Sequence, residues 1–133
     1  MNVLLIDNYD SFTYNIVELL RQLNVNEITL RKNDEISVVE ARSFDRIILS
    51  PGPATPIESG NLMEIIQTLS PTHSILGICL GHQAIAQCFG ASLKNESVPY
   101  HGFKSELNII AEHKLFKGIP LPSSHLTSHI SLL

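Results

Sequence analysis

Hydrophobic and polar positions alternate in blocks along the chain. Val3-Leu4-Leu5-Ile6 is a continuous apolar run that stops at Asp7, the pattern of a strand buried on both faces of a parallel sheet. Asp10 follows as a candidate helix cap, its carboxylate able to accept from the free N–H groups of a first turn. Phe12, Ile16, Leu19, Leu20 and Leu23 recur at helical spacing, predicting a helix that lays this apolar face on the sheet. Glu27 to Arg31 reads as a second strand, 35–42 as a short helix, and Arg46-Ile47-Ile48-Leu49 as a third strand. A helix is predicted from Ser59 to Leu69, with Leu62, Ile65, Ile66 and Leu69 inward. Ser74 to Ile78 is a fourth strand, with a helix over 81–89 behind it.

Strands alternating with helices predict an α/β fold, an open and mostly parallel sheet flanked by helices. Such sheets bind ligands outside the carboxyl ends of their strands. Two unusual loops fall at that edge. Ser50-Pro51-Gly52-Pro53-Ala54-Thr55-Pro56 contains three prolines that remove donors and fix φ, and Gly52 permits a conformation closed to other residues. The other loop is 77–81. From about Val98 the pattern breaks into short extended pieces. With 133 residues and no linker or repeat, the expectation is a single domain over 1–133.

Composition narrows the class. Apolar residues make up 44% and charged residues 17%, a globular rather than disordered balance. No apolar run approaches the roughly 18 residues that span a bilayer, so a membrane is not an expected partner. Net charge is −4 with no basic cluster, which argues against nucleic acid. Two cysteines, Cys79 and Cys88, make no disulfide framework, and the cytoplasm is the expected compartment.

Gly77-Ile78-Cys79-Leu80-Gly81 joins a strand to a helix with one reactive residue at the bend. This is the build of a nucleophile elbow with sulfur in place of a hydroxyl, and side chains in place of the glycines would collide with strand and helix. At a helix N-terminus, partial positive charge and free N–H groups favour a thiolate at Cys79. The Leu80 N–H then faces a forming oxyanion. Cys88 lies mid-helix near Ile85 and Phe89 and reads as packing.

Three segments together resemble the class I glutamine amidotransferases, in particular the glutaminase subunits of anthranilate synthase and aminodeoxychorismate (para-aminobenzoate) synthase. Asp7-Asn8-Tyr9-Asp10-Ser11-Phe12-Thr13-Tyr14-Asn15 resembles the family's opening loop and helix. Ser50-Pro51-Gly52-Pro53 is similar to its glutamine-binding loop, and Gly77-Ile78-Cys79-Leu80-Gly81-His82-Gln83-Ala84 to its nucleophile segment. The resemblance implies a flavodoxin-like fold and glutamine hydrolysis through a Cys79 thioester. It implies backbone N–H groups of Gly52 and Leu80 in the oxyanion hole, and Pro53, Ala54 and Gln83 at the bound glutamine. Ammonia would pass to a chorismate-using synthase subunit (component I), and neither metal nor organic cofactor is expected in this half. The alternative is an inactive, truncated homologue that keeps only the fold or partner binding.

The departures carry expectations of their own. Ala54 stands where many members have glycine, and His101-Gly102-Phe103-Lys104-Ser105 resembles a His-Gly-Lys segment with Phe103 inserted. Ser128-His129-Ile130-Ser131 departs from the family's Tyr-His-Ser-Leu segment. The family's base and orienting acid lie in a Phe-His-Pro-Glu-Ser-like segment further along, so the chain is expected to be C-terminally truncated with an incomplete triad. Local substitutes are His125 and His129, whose spacing on a helix would also suit a metal, but no Cys, Asp or Glu completes a ligand set. His82 is read as structural. Loss of the last strands would leave an open sheet edge.

Overall fold

The computed structural model describes residues 1–94, 104–107, 114–118, 123–126 and 130–132; for the strands beyond residue 94 only the backbone is described. The chain forms two compact units, Met1–Leu93 with His129–Leu133, and Lys94–Ser128. The first holds a five-stranded sheet in the order β2-β1-β3-β4-β7. Its strands are β1 (Asn2–Asp7), β2 (Glu27–Lys32), β3 (Arg46–Leu49), β4 (Ser74–Ile78) and β7 (Ile130–Leu132). β1, β2, β3 and β4 are parallel, and β7 runs antiparallel along the outer side of β4. The second unit contains an antiparallel ladder of β5 (Lys104–Leu107) and β6 (Ser123–Leu126).

The apolar run of β1 is two interleaved sets, as the two-residue period of a strand requires. Leu4 and Ile6 enter a core formed with α2 (Val38–Ala41), α3 (Leu62–Leu69) and α4 (Leu80–Cys88). Val3 and Leu5 face the other way, with Ile48 and with Ile16 of α1 (Thr13–Gln22). All four α3 positions expected inward, Leu62, Ile65, Ile66 and Leu69, are buried.

Predictions for three helices need correction. Asp10 does not cap α1. Its carboxylate accepts from Phe12 N at 2.8 Å in the turn before the helix, which begins only at Thr13. The inward face of α1 is also turned. Thr13 and Ile16 are buried and Val17 and Leu20 half-buried against the sheet, whereas Phe12, Leu19 and Leu23 are 51%, 56% and 66% exposed. The predicted stripe is therefore rotated by roughly a quarter turn at 3.6 residues per turn. The cause is a tether from the strand: the Thr13 hydroxyl donates to the buried Asp7 carboxylate at 2.9 Å.

Helix α2 keeps only Val38–Ala41, because Ser37 caps it by accepting from Glu40 N. Helix α3 starts at Leu62 rather than Ser59. Gly60 has φ +55, outside helical geometry, and the Asn61 amide donates to Ile36 O at 2.9 Å.

Strand order reverses between β1 and β3, since the chain leaves β1 for β2 on one side and returns to β3 on the other. That switch point leaves a crevice at the carboxyl ends of the strands. The loops after β1 and β3 flank it, and the turn after β4 adjoins it.

Candidate active site

β4 ends at Ile78, and α4 begins at Leu80 with Cys79 as its N-terminal flanking residue, at φ 53 and ψ −107. A non-glycine residue at positive φ costs about 1–3 kcal/mol and persists only where its surroundings impose it. Here they do. A Cβ on Gly77 would lie 2.4 Å from the Gly81 carbonyl carbon, and one on Gly81 would lie 2.6 Å from the Leu49 Cβ of β3. The first turn of α4 is thus pressed between the ends of β3 and β4, and the chain can make that bend only by straining Cys79. Both glycines meet the expectation of collision. The half-buried thiol stands at the N-terminus of a nine-residue helix.

The loop after β3 comes to this turn. A Cβ on Gly52 would sit 2.5 Å from Leu80 Cδ2 and 2.6 Å from Asn8 Cβ. Gly52 therefore serves close approach. It is absent from the positive-φ glycines among the described residues, which corrects the expectation of a glycine-only backbone conformation. Pro53 and Ala54 continue the loop on the surface. Thr55 then opens a 3-10 turn, Pro56–Glu58, with its hydroxyl donating to Glu58 Oε2 at 2.7 Å. This hydroxyl, and then the Thr55 N–H, hold the Glu58 carboxyl below its usual range.

Ser50, fully buried, fixes the loop's base. Its N–H donates to Ile6 O at 3.0 Å. Its Oγ accepts from Asn8 N at 2.9 Å, and its carbonyl accepts from Asn8 Nδ2 at 2.7 Å. Asn8 is 2% exposed, and its Oδ1 accepts from Asn33 Nδ2 at 3.0 Å. Sequence reasoning placed Asn8 within a motif without a role and did not single out Asn33. The one available signal was a pair of asparagines, each just after a strand.

Gln83 lies one turn into α4, half-buried, with its N–H on the Cys79 carbonyl at 3.0 Å. Cys88 packs against the core, its Sγ 3.8 Å from Met63 O and Sδ, and burial pushes its thiol up. Among the described histidines, His73 precedes β4 and touches Arg42 O through Nε2 at 3.1 Å. It is at the opposite end of the strand from Cys79, roughly 20 Å away at about 3.3 Å per residue. His82 is in α4 and half-buried. β6 is extended through His125, so the helical spacing of His125 with His129 is not built. His101, Gly102, Phe103 and His129 lie outside the described residues. No cluster suited to a metal occurs among the described residues, and no helix among them is long and apolar enough to cross a membrane.

At the β1 end of the crevice Tyr9 has φ 63. Its hydroxyl donates to the Asp34 carboxylate, 2.7 Å from Oδ1, and the Lys32 ammonium lies 4.4 Å from its ring centroid. The hydrogen bond to Asp34, before any other cause, pushes the phenol up to about 12.

The sequence that builds this site, a strained strand-to-helix cysteine beside a Pro-Gly-Pro loop, has known relatives. The chain is 46% identical over 124 residues to anthranilate synthase component 2 of Thermus thermophilus, covering 92% of this chain and 60% of that protein. It is 41% identical over 133 residues to aminodeoxychorismate synthase component 2 of Klebsiella aerogenes, covering 98% of this chain and 70% of that one. Against aminodeoxychorismate/anthranilate synthase component 2 of Bacillus subtilis, identity is 40% over 125 residues, with 90% and 62% covered. The chain thus spans 60% to 70% of the length of these three relatives. A crystal structure from Thermoplasma acidophilum, assigned as part of a GMP synthase, superposes with a TM-score of 0.74 at 29% identity, over 90% of this chain and 60% of that one. The class-I glutamine amidotransferase profile matches residues 4–130, and the chain belongs to that family.

Proposed function

We propose that this chain is the glutaminase part of a chorismate-using synthase, with Cys79 as its nucleophile. The Cys79 thiolate attacks the side-chain carboxamide of glutamine and forms a C–S bond, while the carbonyl π pair moves onto oxygen. Collapse of that intermediate expels the amide nitrogen, which leaves as ammonia after taking a proton from water. Water then cleaves the thioester, releasing glutamate and restoring the thiol. The oxyanion of both steps is held by the backbone N–H groups of Gly52 and Leu80. Gln83, Pro53 and Ala54 border the bound glutamine. Ammonia passes to a synthase partner that aminates chorismate, as the component 2 names of the relatives suggest. The unpaired thiols Cys79 and Cys88 suit the cytoplasm.

The observation that supports this reading most is the contact of Gly52 with Leu80. It brings the two segments expected to supply the oxyanion donors together, beside a cysteine strained at a helix start. The test is alkylation of Cys79 by iodoacetamide with and without glutamine, alongside ammonia release compared with Cys79→Ser. Expected are protection of Cys79 by glutamine but not by glutamate's shorter homologue aspartate, and ammonia release that Cys79→Ser abolishes. A Cys79 alkylation rate that glutamine leaves unchanged would overturn the proposal.

A further inference from the structure

We infer that Asn8 is a positioning residue for the oxyanion hole, fastening the loop that carries Gly52 against the nucleophile turn. This rests on the glutaminase reading above and names the device that sets its geometry.

The Ser50–Pro53 loop is poor in means of holding itself. Pro51 and Pro53 have no N–H to donate, and the Gly52 N–H, if aimed at substrate, cannot anchor the chain. Fastening must then come through Ser50 and through groups outside the loop. Every polar group of Ser50 is engaged: its N–H on Ile6 O, its Oγ by Asn8 N and on Pro51 O, its carbonyl by Asn8 Nδ2. Two of these bonds are donated by Asn8 alone. Asn8 also forms the floor beneath Gly52, whose missing Cβ would fall 2.6 Å from Asn8 Cβ and 2.7 Å from Asn8 O. One residue therefore ties the loop laterally and limits its depth.

Asn8 is itself held. With Nδ2 donating to Ser50 O, its Oδ1 is the acceptor left for Asn33 Nδ2, so the amide has one orientation consistent with both partners. Asn33 donates its N–H to Asp7 O and accepts from Asn61 N at the start of α3. The resulting connection runs from α3 through Asn33 and Asn8 to Ser50, and from Gly52 to Leu80. An aspartate at position 8 would match asparagine in size but present an oxygen to the Ser50 carbonyl, turning a hydrogen bond into repulsion. No leucine or alanine could supply the donor.

The experiment compares wild type with Asn8→Asp in two readouts. The first is hydrogen exchange by NMR of the Ser50 amide, which donates to Ile6 O at the base of the loop, referenced to amides of β1. The second is affinity for the γ-aldehyde analogue of glutamine, to which Cys79 adds: a C–S bond forms, and the aldehyde oxygen takes the thiol proton and occupies the oxyanion hole. Iodoacetamide alkylation of Cys79 is the control, since iodide leaves and no charge develops on a carbonyl oxygen. In Asn8→Asp, Ser50 exchange rises and aldehyde affinity falls by about ten-fold or more, a fraction of what loss of a whole donor removes. The alkylation rate stays that of wild type. Asn33→Ala, which frees the Asn8 amide without altering it, moves both readouts the same way by a smaller factor and carries the test if Asn8→Asp does not fold. Unchanged Ser50 exchange in a folded variant overturns the inference, whatever the aldehyde does. Wild type that binds no aldehyde, with Ser50 exchange still responding to Asn8→Asp, removes the glutaminase reading and leaves the fastening role of Asn8 standing.

Discussion

Gly77 and Gly81 stand so close across the strand-to-helix turn at Cys79 that a Cβ on Gly77 would lie 2.4 Å from the carbonyl carbon of Gly81. The neighbouring atoms are backbone and cannot swing aside. Gly77→Ala is therefore expected to destabilise the fold by at least about 1–3 kcal/mol, the cost of overpacking a site that does not relax. Urea unfolding checks this: the midpoint falls while the slope stays unchanged.

The same crowding strains Cys79 at φ 53. Glycine adopts that conformation freely, so Cys79→Gly is expected to exceed Cys79→Ala in stability by about 1 kcal/mol. Comparison with alanine rather than wild type removes the effect of losing the thiol itself. Equal stabilities would show that the bend stores no strain at this residue.

The Asp7 carboxylate accepts from Tyr9 N at 2.9 Å and from the Thr13 hydroxyl at 2.9 Å. Thr13 is fully buried. Asp7→Ala leaves its hydroxyl without an acceptor, at an expected cost of about 1–3 kcal/mol. Thr13→Val removes the orphaned group, so the double variant should be more stable than the sum of the single losses predicts. A strictly additive cycle would refute the tether between β1 and α1.

The hydrogen bond that the Tyr9 hydroxyl donates to Asp34 pushes its phenol up to about 12. The folded value lies above the ordinary phenol value of about 10. The contribution of this bond to stability is thus fully present below pH ~10 and lost as pH rises from ~10 to ~12. The phenol is exposed, so the effect on overall stability is small. The check is an absorbance titration of wild type minus Tyr9→Phe, which isolates the Tyr9 phenol. Asp34→Asn should bring its midpoint down toward the ordinary value.

Much of the fold was legible in the sequence because strands buried on both faces must be apolar throughout, and β1, β3 and β4 are short and bounded by polar residues or glycine. The parallel sheet and its carboxyl-edge loops followed from their alternation with helices. The strand-to-helix turn at Cys79 was legible too, from Gly77 and Gly81 on either side of it at a strand end. The tertiary structure decided what depends on groups far apart in the chain. It set the rotation of α1 through Asp7 and Thr13, and began α3 late by engaging Asn61 with Ile36. It also laid β7 antiparallel along β4, which covers that strand's outer side. At the site, Gly52 proved necessary for its approach to Leu80 and Asn8, not for an unusual φ. Asn8 drew its importance from Ser50, 42 residues away, and Asn33, 25 residues away. Periodicity reports which face a residue prefers, a local property. Which buried donor meets which acceptor is settled only when the strands align and every polar group left in the core must find a partner.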